Sequence, residues 1–310
     1  MGAPELSWIA WSASARKTAS FSSAVDAKPF DVFVFHVGPL QLVGTKTPAR
    51  RWPATGAPLH KGCLIEPVMI AGALEQVQLN GPEYQVSYFP LNPEEISVAF
   101  RAADVTCDLL FPLRRLVTGR ETAQPPAYWD GRASNPDSLD GDEVVLREAV
   151  AELLAERLTG GQVVYDPACS SGAFLAFLKQ RFPGIRAVGQ DRSAAMIAIA
   201  RTRVDECHLG DSLRPLCRLE TADVVICRHL NLDVVTSDEA KGLFCAAARA
   251  LRPEGWMIVL GHTPVLVSSV WMEAQGFQAL ARCDFTPSRH AVFQLYLLRR
   301  SPAKHLRPGL

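Results

Sequence analysis

The sequence has no excess of charge of either sign. Its 310 residues contain 32 Lys plus Arg and 32 Asp plus Glu, which gives a formal net charge of zero. Divided at residue 140, the chain has 12 basic and 14 acidic residues before the division and 20 and 18 after it. Binding to nucleic acid usually requires a basic patch or a basic domain. The balance therefore predicts no nucleic-acid partner.

Long hydrophobic runs are also missing. A membrane-spanning helix needs about 18 or more apolar residues in succession, and the most apolar stretches are broken by His36, Gly38, His262 and Pro264. The short apolar patch at residues 6–11 follows Glu5 and has no basic residue before it, unlike a secretory signal. We therefore expect no membrane partner and a cytoplasmic location, and leave both a monomer and a homodimer open.

The eight cysteines include no C-x-x-C pair, and several lie within apolar runs such as residues 224–227. Close cysteine pairs are typical of structural zinc sites, so this pattern predicts reduced core thiols and no metal. A hydrophobic content of 48% excludes a disordered chain, and 310 residues are enough for two domains of about 150 residues each.

Glycines, prolines and polar residues cluster at residues 119–141 and separate two parts of the chain. After this cluster, apolar strand-like runs alternate with helical periodicity, as in a doubly wound α/β domain with a mostly parallel sheet. We predict an N-terminal α+β cap at residues 1–118, a linker and active-site loop at 119–141, a seven-stranded Rossmann-like domain at 142–300 and a tail at 301–310.

The second part of the chain is predicted to contain four main helices and seven strands. The helices are placed at 143–158, 173–181, 193–204 and 237–251, and the strands at 163–165, 185–189, 206–209, 222–227, 256–260, 278–283 and 291–299. Ser237 is the expected N-cap of its helix, and residues 253–255 are an expected turn. The last two strands are close enough in sequence for an antiparallel hairpin. In the cap, strands are expected at 32–37, 40–43 and 84–88, and residues 93–116 show mixed signals.

The most informative segment is residues 163–175, which read VVYDPACSSGAFL: a short β run, a tight loop of small residues and a helix. Small residues let the backbone approach a ligand closely, and the free N–H groups at a helix start suit an anion or a polar cofactor. With its single glycine the loop lacks the G-x-G-x-x-G of dinucleotide-binding domains, and it lacks the Gly-Lys-Ser/Thr of a P-loop.

Residues 166–175 resemble the first motif of the class I S-adenosylmethionine (SAM)-dependent methyltransferase fold. The resemblance implies that the loop wraps the amino-acid portion of SAM, while acidic residues after strands two and three contact the ribose and the adenine. Asp191 follows Gly172 by 19 residues and Asp211 ends the next strand, so both positions match. Taken singly, either aspartate could instead be a helix N-cap. The implied SAM-binding residues in these three segments are Asp166, Ala168, Cys169, Ser170, Ser171, Gly172, Asp191, Arg192, Asp211 and Ser212.

The fourth predicted strand ends in Arg228-His229-Leu230-Asn231, at the sheet edge where the catalytic residues of open α/β sheets collect. The D/N-P-P-Y/F motif of nucleic-acid amino methyltransferases is absent here. As candidate catalytic residues, Arg228 could pair with a carboxylate, His229 could act as a base near neutral pH, and Asn231 could orient an amine or a carbonyl. The alternative is that they cap the next helix or form surface pairs.

Tyr128 and Trp129 lie just before the first helix of the predicted cofactor domain. In the methyltransferase fold the preceding segment often folds over the cofactor, so either ring could face the sulfonium, which an aromatic ring attracts by about 1 to 2 kcal/mol. We count Tyr128 among the candidate catalytic residues and Trp129 among the SAM-binding ones. The alternative is that both rings only hold the linker in place.

The DPACSSG loop, the CRHLNL segment and a cap of this size together resemble the azetidine-2-carboxylate synthase and isonocardicin synthase group of bacterial enzymes. This resemblance implies a secondary-metabolite enzyme that uses SAM as a substrate without moving its methyl group. It would either cyclise the 3-amino-3-carboxypropyl arm to azetidine-2-carboxylate, releasing 5'-methylthioadenosine, or transfer that arm to a small-molecule acceptor. Methyl transfer to a small metabolite is the third hypothesis.

Overall fold

The computed structural model describes residues 16–24, 32–37, 40–45, 70–80, 83–102, 109–110, 123–231, 234–261, 265–281, 284–286 and 291–302. They divide into two compact units, one from residues 1–121 and 281–294, the other from residues 122–280 and 295–310. This division differs from the expected sequence boundaries in two places. Residues 122–141 belong with the second unit because they are largely helical and pack there, and residues 281–294 belong with the first.

The first unit is built on a six-stranded sheet in which every recorded pairing is antiparallel. Its strands, in the order β1-β5-β4-β3-β2-β6, are β1 (Ala19–Ala24), β2 (Val32–Val37), β3 (Leu40–Thr45), β4 (Ile70–Asn80), β5 (Glu83–Pro90) and β6 (Leu109–Leu110). Helix α1 (Pro93–Ala102) follows β5. The expected strands at 32–37, 40–43 and 84–88 are confirmed, and the first two pair with each other, whereas β1 and β4 were not predicted.

The second unit holds the predicted parallel sheet. The strand order is β12-β14-β11-β10-β7-β8-β9, with parallel pairing between β11 and β10, β10 and β7, β7 and β8, and β8 and β9. The strands are β7 (Val163–Asp166), β8 (Arg186–Asp191), β9 (Glu206–Leu209), β10 (Ala222–Cys227), β11 (Leu251–Gly261), β12 (Phe277–Ala281) and β14 (Ala291–Arg300), and the short β13 (Asp284–Thr286) pairs with β14. The fold is the mixed α/β, Rossmann-like methyltransferase fold with an additional antiparallel sheet.

Six helices of this unit lie between these strands or precede them: α2 (Pro126–Arg132), α3 (Asp137–Leu154), α4 (Ala173–Arg181), α5 (Ala194–Ala200), α6 (Ser237–Ala250) and α7 (Ser269–Ala274). One local expectation was wrong, and a second differs only in the bounds of a strand. The N-cap of α6 is Thr236 rather than Ser237, because the Thr236 side chain and Glu239 form a reciprocal capping box. Residues 253–255 lie within the bounds of β11 but have no register partner in β10, and Glu254 adopts a φ of 60°, so they form an irregular bulge before the paired part of the strand begins at Trp256.

A large apolar core fixes the parallel strands. Tyr165, Phe174, Phe244 and Tyr296 are among its largest fully buried side chains, and Phe244 makes edge-on ring contacts with its neighbours. Because parallel strands all end at the same sheet edge, the segments after β7, β8, β9 and β10 are brought together there. Among the helices of the described residues, none is long and apolar enough to cross a membrane.

Candidate functional site

The loop after β7 is a tight turn that requires small residues. Ser170 has a φ of 52°, and Gly172, which begins α4, has a φ of 77°. A Cβ atom on Gly172 would lie 3.1 Å from the Cβ of Ala200 and 3.3 Å from a methyl group of Val204. Left-handed backbone and close packing both favour glycine at this point. These small residues let the chain turn tightly between β7 and α4, where the sequence predicts the SAM-binding loop.

Hydrogen bonds fasten this loop to the end of β8. The amide of Cys169 donates to the carbonyl oxygen of Gln190 at 2.8 Å, and the amide of Ser170 donates to Oδ2 of Asp191 at 2.8 Å. On the other side, Arg203 donates to the backbone and hydroxyl oxygens of Ser171. The loop is thus held in a defined conformation by the protein itself.

Asp191 is the last residue of β8, as its proposed contact with the ribose requires. Its Oδ1 accepts from the amide of Ser193 at 2.9 Å and its Oδ2 from Ser170. Burial raises the pKa of this carboxyl, opposed by the two amides and by Arg228 and Arg192. Each carboxylate oxygen has a second lone pair, so Asp191 can also accept hydrogen bonds from the hydroxyl groups of a sugar.

Gln190, which the sequence reading missed, organises the loop after β9. Its side chain is fully buried; Oε1 accepts from the Tyr165 hydroxyl at 2.7 Å and from the Leu216 amide at 2.8 Å. Its Nε2 donates to the carbonyl oxygens of Asp211 at 2.8 Å and Arg214 at 3.2 Å. All four hydrogen-bonding positions of the amide are therefore used. The only sequence signal was a polar residue inside an apolar strand.

The segment expected to reach the adenine lies beside the first loop. Ser212 donates from its hydroxyl to the carbonyl oxygen of Pro167 at 2.6 Å. The Asp211 carboxylate is exposed and accepts from the amide of Leu213 at 2.9 Å in a local turn, and no helix follows it, so the alternative of a helix N-cap does not apply. This contact leaves its second oxygen available, so a role in adenine binding stays a prediction.

Arg228 and Asp166 form a buried ion pair. Nε of Arg228 lies 2.9 Å from Oδ2 of Asp166, and their side chains are 8% and 0% exposed. Arg228 also donates to the carbonyl oxygen of Ala168 at 3.2 Å, and its guanidinium lies 5.2 Å from the ring centre of Phe174. Arg228 was expected to pair with a carboxylate, and here it does so with the protein's own Asp166, which ties the end of β10 to the loop.

His229 and Asn231 are buried polar residues with unsatisfied atoms. Among the described residues, neither ring nitrogen of His229 has a hydrogen-bond partner, nor does Oδ1 of Asn231, whose Nδ2 donates to the carbonyl oxygen of Arg228 at 3.0 Å. Buried polar atoms without a partner are rare in native proteins. A Cβ on Gly261 would lie 2.4 Å from the Asn231 amide, so glycine is needed there. These atoms are well suited to a polar ligand.

The environment of His229 changes its predicted role. Burial, followed by the positive charges of Arg228 and Arg192, lowers the pKa of His229 from 6.5 to about 3, and Asp211 opposes this change. The ring is therefore neutral at neutral pH, and a group with so low a pKa takes up protons poorly there. The expected base near neutral pH is not supported, whereas hydrogen bonding by a neutral imidazole is.

Tyr128 and Trp129 lie on α2, which is bonded to the residues directly after Asp191. Ser193 donates from its hydroxyl to Oδ1 of Asp130 at 2.5 Å, and Arg192 donates to the carbonyl oxygen of Gln124 at 2.9 Å. The two rings meet edge to face with their centres 4.9 Å apart, and Tyr128 is 41% exposed. Asp130 gave no signal in the sequence, because one acidic residue in a helix follows no pattern.

The described residues fit SAM. They supply a small-residue loop, a carboxylate at the end of β8 and unsatisfied polar atoms after β10. Within the described part of the chain, no group of three or more His, Cys, Asp or Glu side chains could hold a metal ion. The described cysteines, Cys169, Cys207, Cys217, Cys227 and Cys245, are free thiols; Cys63, Cys107 and Cys283 lie outside the described residues.

Comparison with known proteins identifies the family of the chain. Residues 164–255 match the model of a methyltransferase domain. The chain is 44% identical over 283 residues to isonocardicin synthase from Nocardia uniformis subsp. tsuyamanensis, covering 89% of this chain and 93% of that protein. The chain belongs to the isonocardicin synthase family. As a member of this family it is a SAM-dependent enzyme with a methyltransferase fold.

Two solved structures that are similar to the present chain are methyltransferases. One is 1,6-didemethyltoxoflavin-N1-methyltransferase from Burkholderia thailandensis, with 14% identity, a TM-score of 0.44 and coverage of 58% of this chain and 94% of that one. The other is phosphoethanolamine N-methyltransferase 1 from Haemonchus contortus, with 12% identity, a TM-score of 0.43 and coverage of 59% and 50%. Both have S-adenosylhomocysteine in their crystals.

Proposed function

We propose that the enzyme cyclises the 3-amino-3-carboxypropyl arm of SAM to azetidine-2-carboxylate and releases 5'-methylthioadenosine. The proposed reaction forms a bond between the α-nitrogen and Cγ of SAM and breaks the bond between Cγ and sulfur. The electron pair of the broken bond neutralises the sulfonium, and the amine loses its proton to solvent. SAM supplies the nucleophile, the electrophilic carbon and the leaving group, so no second substrate is required.

The low basicity of His229 is the observation that carries this proposal. Transfer of the arm to a hydroxyl acceptor calls for a base that removes the acceptor's proton. Among the described residues at the carboxyl end of β10, His229 is the titratable base, and its pKa is lowered to about 3. A free α-amine has a pKa of about 7.7 to 8.0, so an appreciable fraction of it is already neutral near pH 7. Cyclisation therefore needs no strong protein base.

The chain's own residues have three tasks in this proposal. The loop at residues 167–172 and Asp191 hold SAM, and the unsatisfied atoms of His229 and Asn231 accept or donate hydrogen bonds to the amino-acid portion. Tyr128 and Trp129 face the sulfonium. Positioning two reacting groups of one molecule raises their effective concentration greatly, which is what an intramolecular ring closure demands of its enzyme.

Transfer of the arm to a small-molecule acceptor is the second candidate, and the similarity to isonocardicin synthase favours it. The two reactions differ in whether an acceptor is needed. Methyl transfer differs from both, because it yields S-adenosylhomocysteine instead of methylthioadenosine.

The deciding experiment incubates the purified protein with SAM alone and follows the products by mass spectrometry. We expect azetidine-2-carboxylate and methylthioadenosine in equal amounts. Methylthioadenosine alone is not diagnostic, because SAM releases it spontaneously together with homoserine lactone, so azetidine-2-carboxylate is the product to quantify. A matched incubation with Asp191→Ala measures the uncatalysed background. Absence of azetidine-2-carboxylate above this background rejects cyclisation, and product that forms only after a phenolic acceptor is added supports arm transfer instead.

A further inference from the structure

Two cysteines lie next to each other at the loop of residues 167–172, which is expected to bind SAM. Cys169 is a buried residue of the loop, and Cys207 is a half-buried residue of β9. Cys207 is the register partner of Gly189 in the parallel pair of β8 and β9. A Cβ on Gly189 would lie 2.8 Å from Sγ of Cys169. Because register partners direct their side chains to the same face of the sheet, the Cys169 sulfur occupies the space beside Cys207 that Gly189 leaves open.

The pKa values of the two thiols are shifted in opposite directions. The neighbouring Cys207 thiol raises the pKa of Cys169, as does burial, whereas the neighbouring Cys169 thiol and Arg201 lower the pKa of Cys207 against the opposing effect of its own burial. The thiolate is the reactive form of cysteine. Cys207 is therefore the accessible nucleophile, and Cys169 is the buried partner.

We propose that Cys169 and Cys207 form a peroxide-sensitive dithiol site whose oxidation to a disulfide weakens the binding of SAM. The Cys207 thiolate attacks the O–O bond of hydrogen peroxide, giving a sulfenic acid and, after protonation, one water. The Cys169 sulfur then attacks the sulfenic sulfur, forms the S–S bond and displaces a second water. Two thiols lose two electrons, and peroxide is reduced to two waters.

Disulfide formation would disturb the loop because Cys169 is part of its hydrogen-bonded frame. A disulfide brings the two sulfurs to about 2.05 Å and the two Cβ atoms to roughly 3.5 to 4.5 Å, which draws Cys169 toward β9. The backbone of Cys169 is bonded to Gln190 on one side and to Gly172 on the other, and Ser170 follows at a positive φ. Movement of this residue would shift Ser170 and, through its amide, the Asp191 carboxylate that is expected to bind the ribose.

The test treats the reduced full-length protein with hydrogen peroxide, blocks free thiols and digests without reductant. We expect a cross-link between the peptide containing Cys169 and the peptide containing Cys207, located by fragmentation because Cys217 shares the second tryptic peptide. Calorimetric titration with SAM should show roughly tenfold weaker binding to the oxidised protein, equivalent to losing one or two hydrogen bonds. Dithiothreitol should restore the original affinity.

Two variants separate this site from general oxidation. Cys207→Ser should form no cross-link to Cys169 and should keep its affinity for SAM after the same peroxide dose. Cys245→Ser removes another half-buried thiol, whose pKa is raised by burial, and should behave like the natural chain. The proposal is overturned by a disulfide that joins other cysteines, by no disulfide, or by a complete Cys169–Cys207 cross-link that leaves the affinity for SAM unchanged.

Discussion

At the scale of single residues, the buried polar groups of the site differ in how many of their hydrogen-bonding positions are used. Gln190 uses all four of its hydrogen-bonding positions, and Asp166 is paired with Arg228. His229 and Oδ1 of Asn231 lack partners. Satisfied groups hold the loops in place, whereas unsatisfied ones raise the energy of the ligand-free site, which a polar ligand can relieve.

Burial of neutral His229 makes the folded protein sensitive to acid. The unfolded chain binds a proton at this residue below pH 6.5, whereas the folded chain does so only near pH 3. Stability is therefore lost as the pH falls through this window, by about 2 kcal/mol between pH 7 and pH 5. Urea unfolding of the natural chain and of His229→Gln at both pH values should show this loss in the natural chain only. Equal losses in the two proteins would contradict the low pKa.

The sequence predicted residues of the site that stand at strand ends, but not the long-range hydrogen bonds and ion pairs that hold the loops of the site in place. Asp191 was found because an acidic residue at the end of a predicted strand is a positional signal, and the structure places it there. The pairing of Arg228 with Asp166 could not be read, because 62 residues separate them and only the sheet brings them together. The missed Gln190 and Asp130 act through such long-range contacts too.

At the scale of secondary structure, prediction succeeded where apolar runs end in clear turn residues. Helix α4 and strands β9 and β10 have the predicted bounds. In contrast, β1 reads ASFSSA and contains too few large apolar residues to indicate a strand. Residues 253–255 have turn composition and no register partner in β10, although they fall within the bounds of β11. Tertiary contacts, which a single sequence does not display, decided these cases.

Helix α2 provides the prediction at this scale. It has seven residues, no side-chain N-cap and no buried residue, so its position depends on its contacts with residues 192–193. Asp130→Ala removes the acceptor for the Ser193 hydroxyl and should release Tyr128 and Trp129 from the site. We expect roughly five- to tenfold weaker SAM binding by calorimetry, as for the loss of one good hydrogen bond.

Asp130→Asn is the matched control for this helix, because its amide oxygen can still accept from Ser193. It should bind SAM nearly as well as the natural chain. Ser193→Ala loses the same contact and also the N-cap of α5, so it should lower thermal stability as well as affinity. If Asp130→Ala and Asp130→Asn bind SAM equally well, α2 does not contribute to binding in this way.

At the scale of the whole molecule, the first unit is formed by two separate segments of the chain, residues 1–121 and 281–294. Residues 281–294 belong to the first unit although they lie between strands of the second. Composition could not reveal this, because the segment continues the β-rich pattern of its neighbours. The first unit, expected from the sequence to be a cap with one chain connection, is therefore joined to the second unit by three, at residues 121/122, 280/281 and 294/295.

The pH dependence of the complete reaction tests which group must lose a proton. With no net charge on the molecule and with His229, the titratable base among the described residues at the end of β10, held neutral, the substrate's own amine should set the profile. For reaction of SAM alone, we expect kcat/KM to rise about tenfold per pH unit at low pH and to level off near pH 8, at the pKa of a free α-amine. The profile of His229→Gln should have the same midpoint at lower or equal rate. A midpoint near pH 10, typical of a phenol, in the presence of an acceptor would indicate arm transfer, and a midpoint that moves in His229→Gln would show that this residue takes up the proton after all.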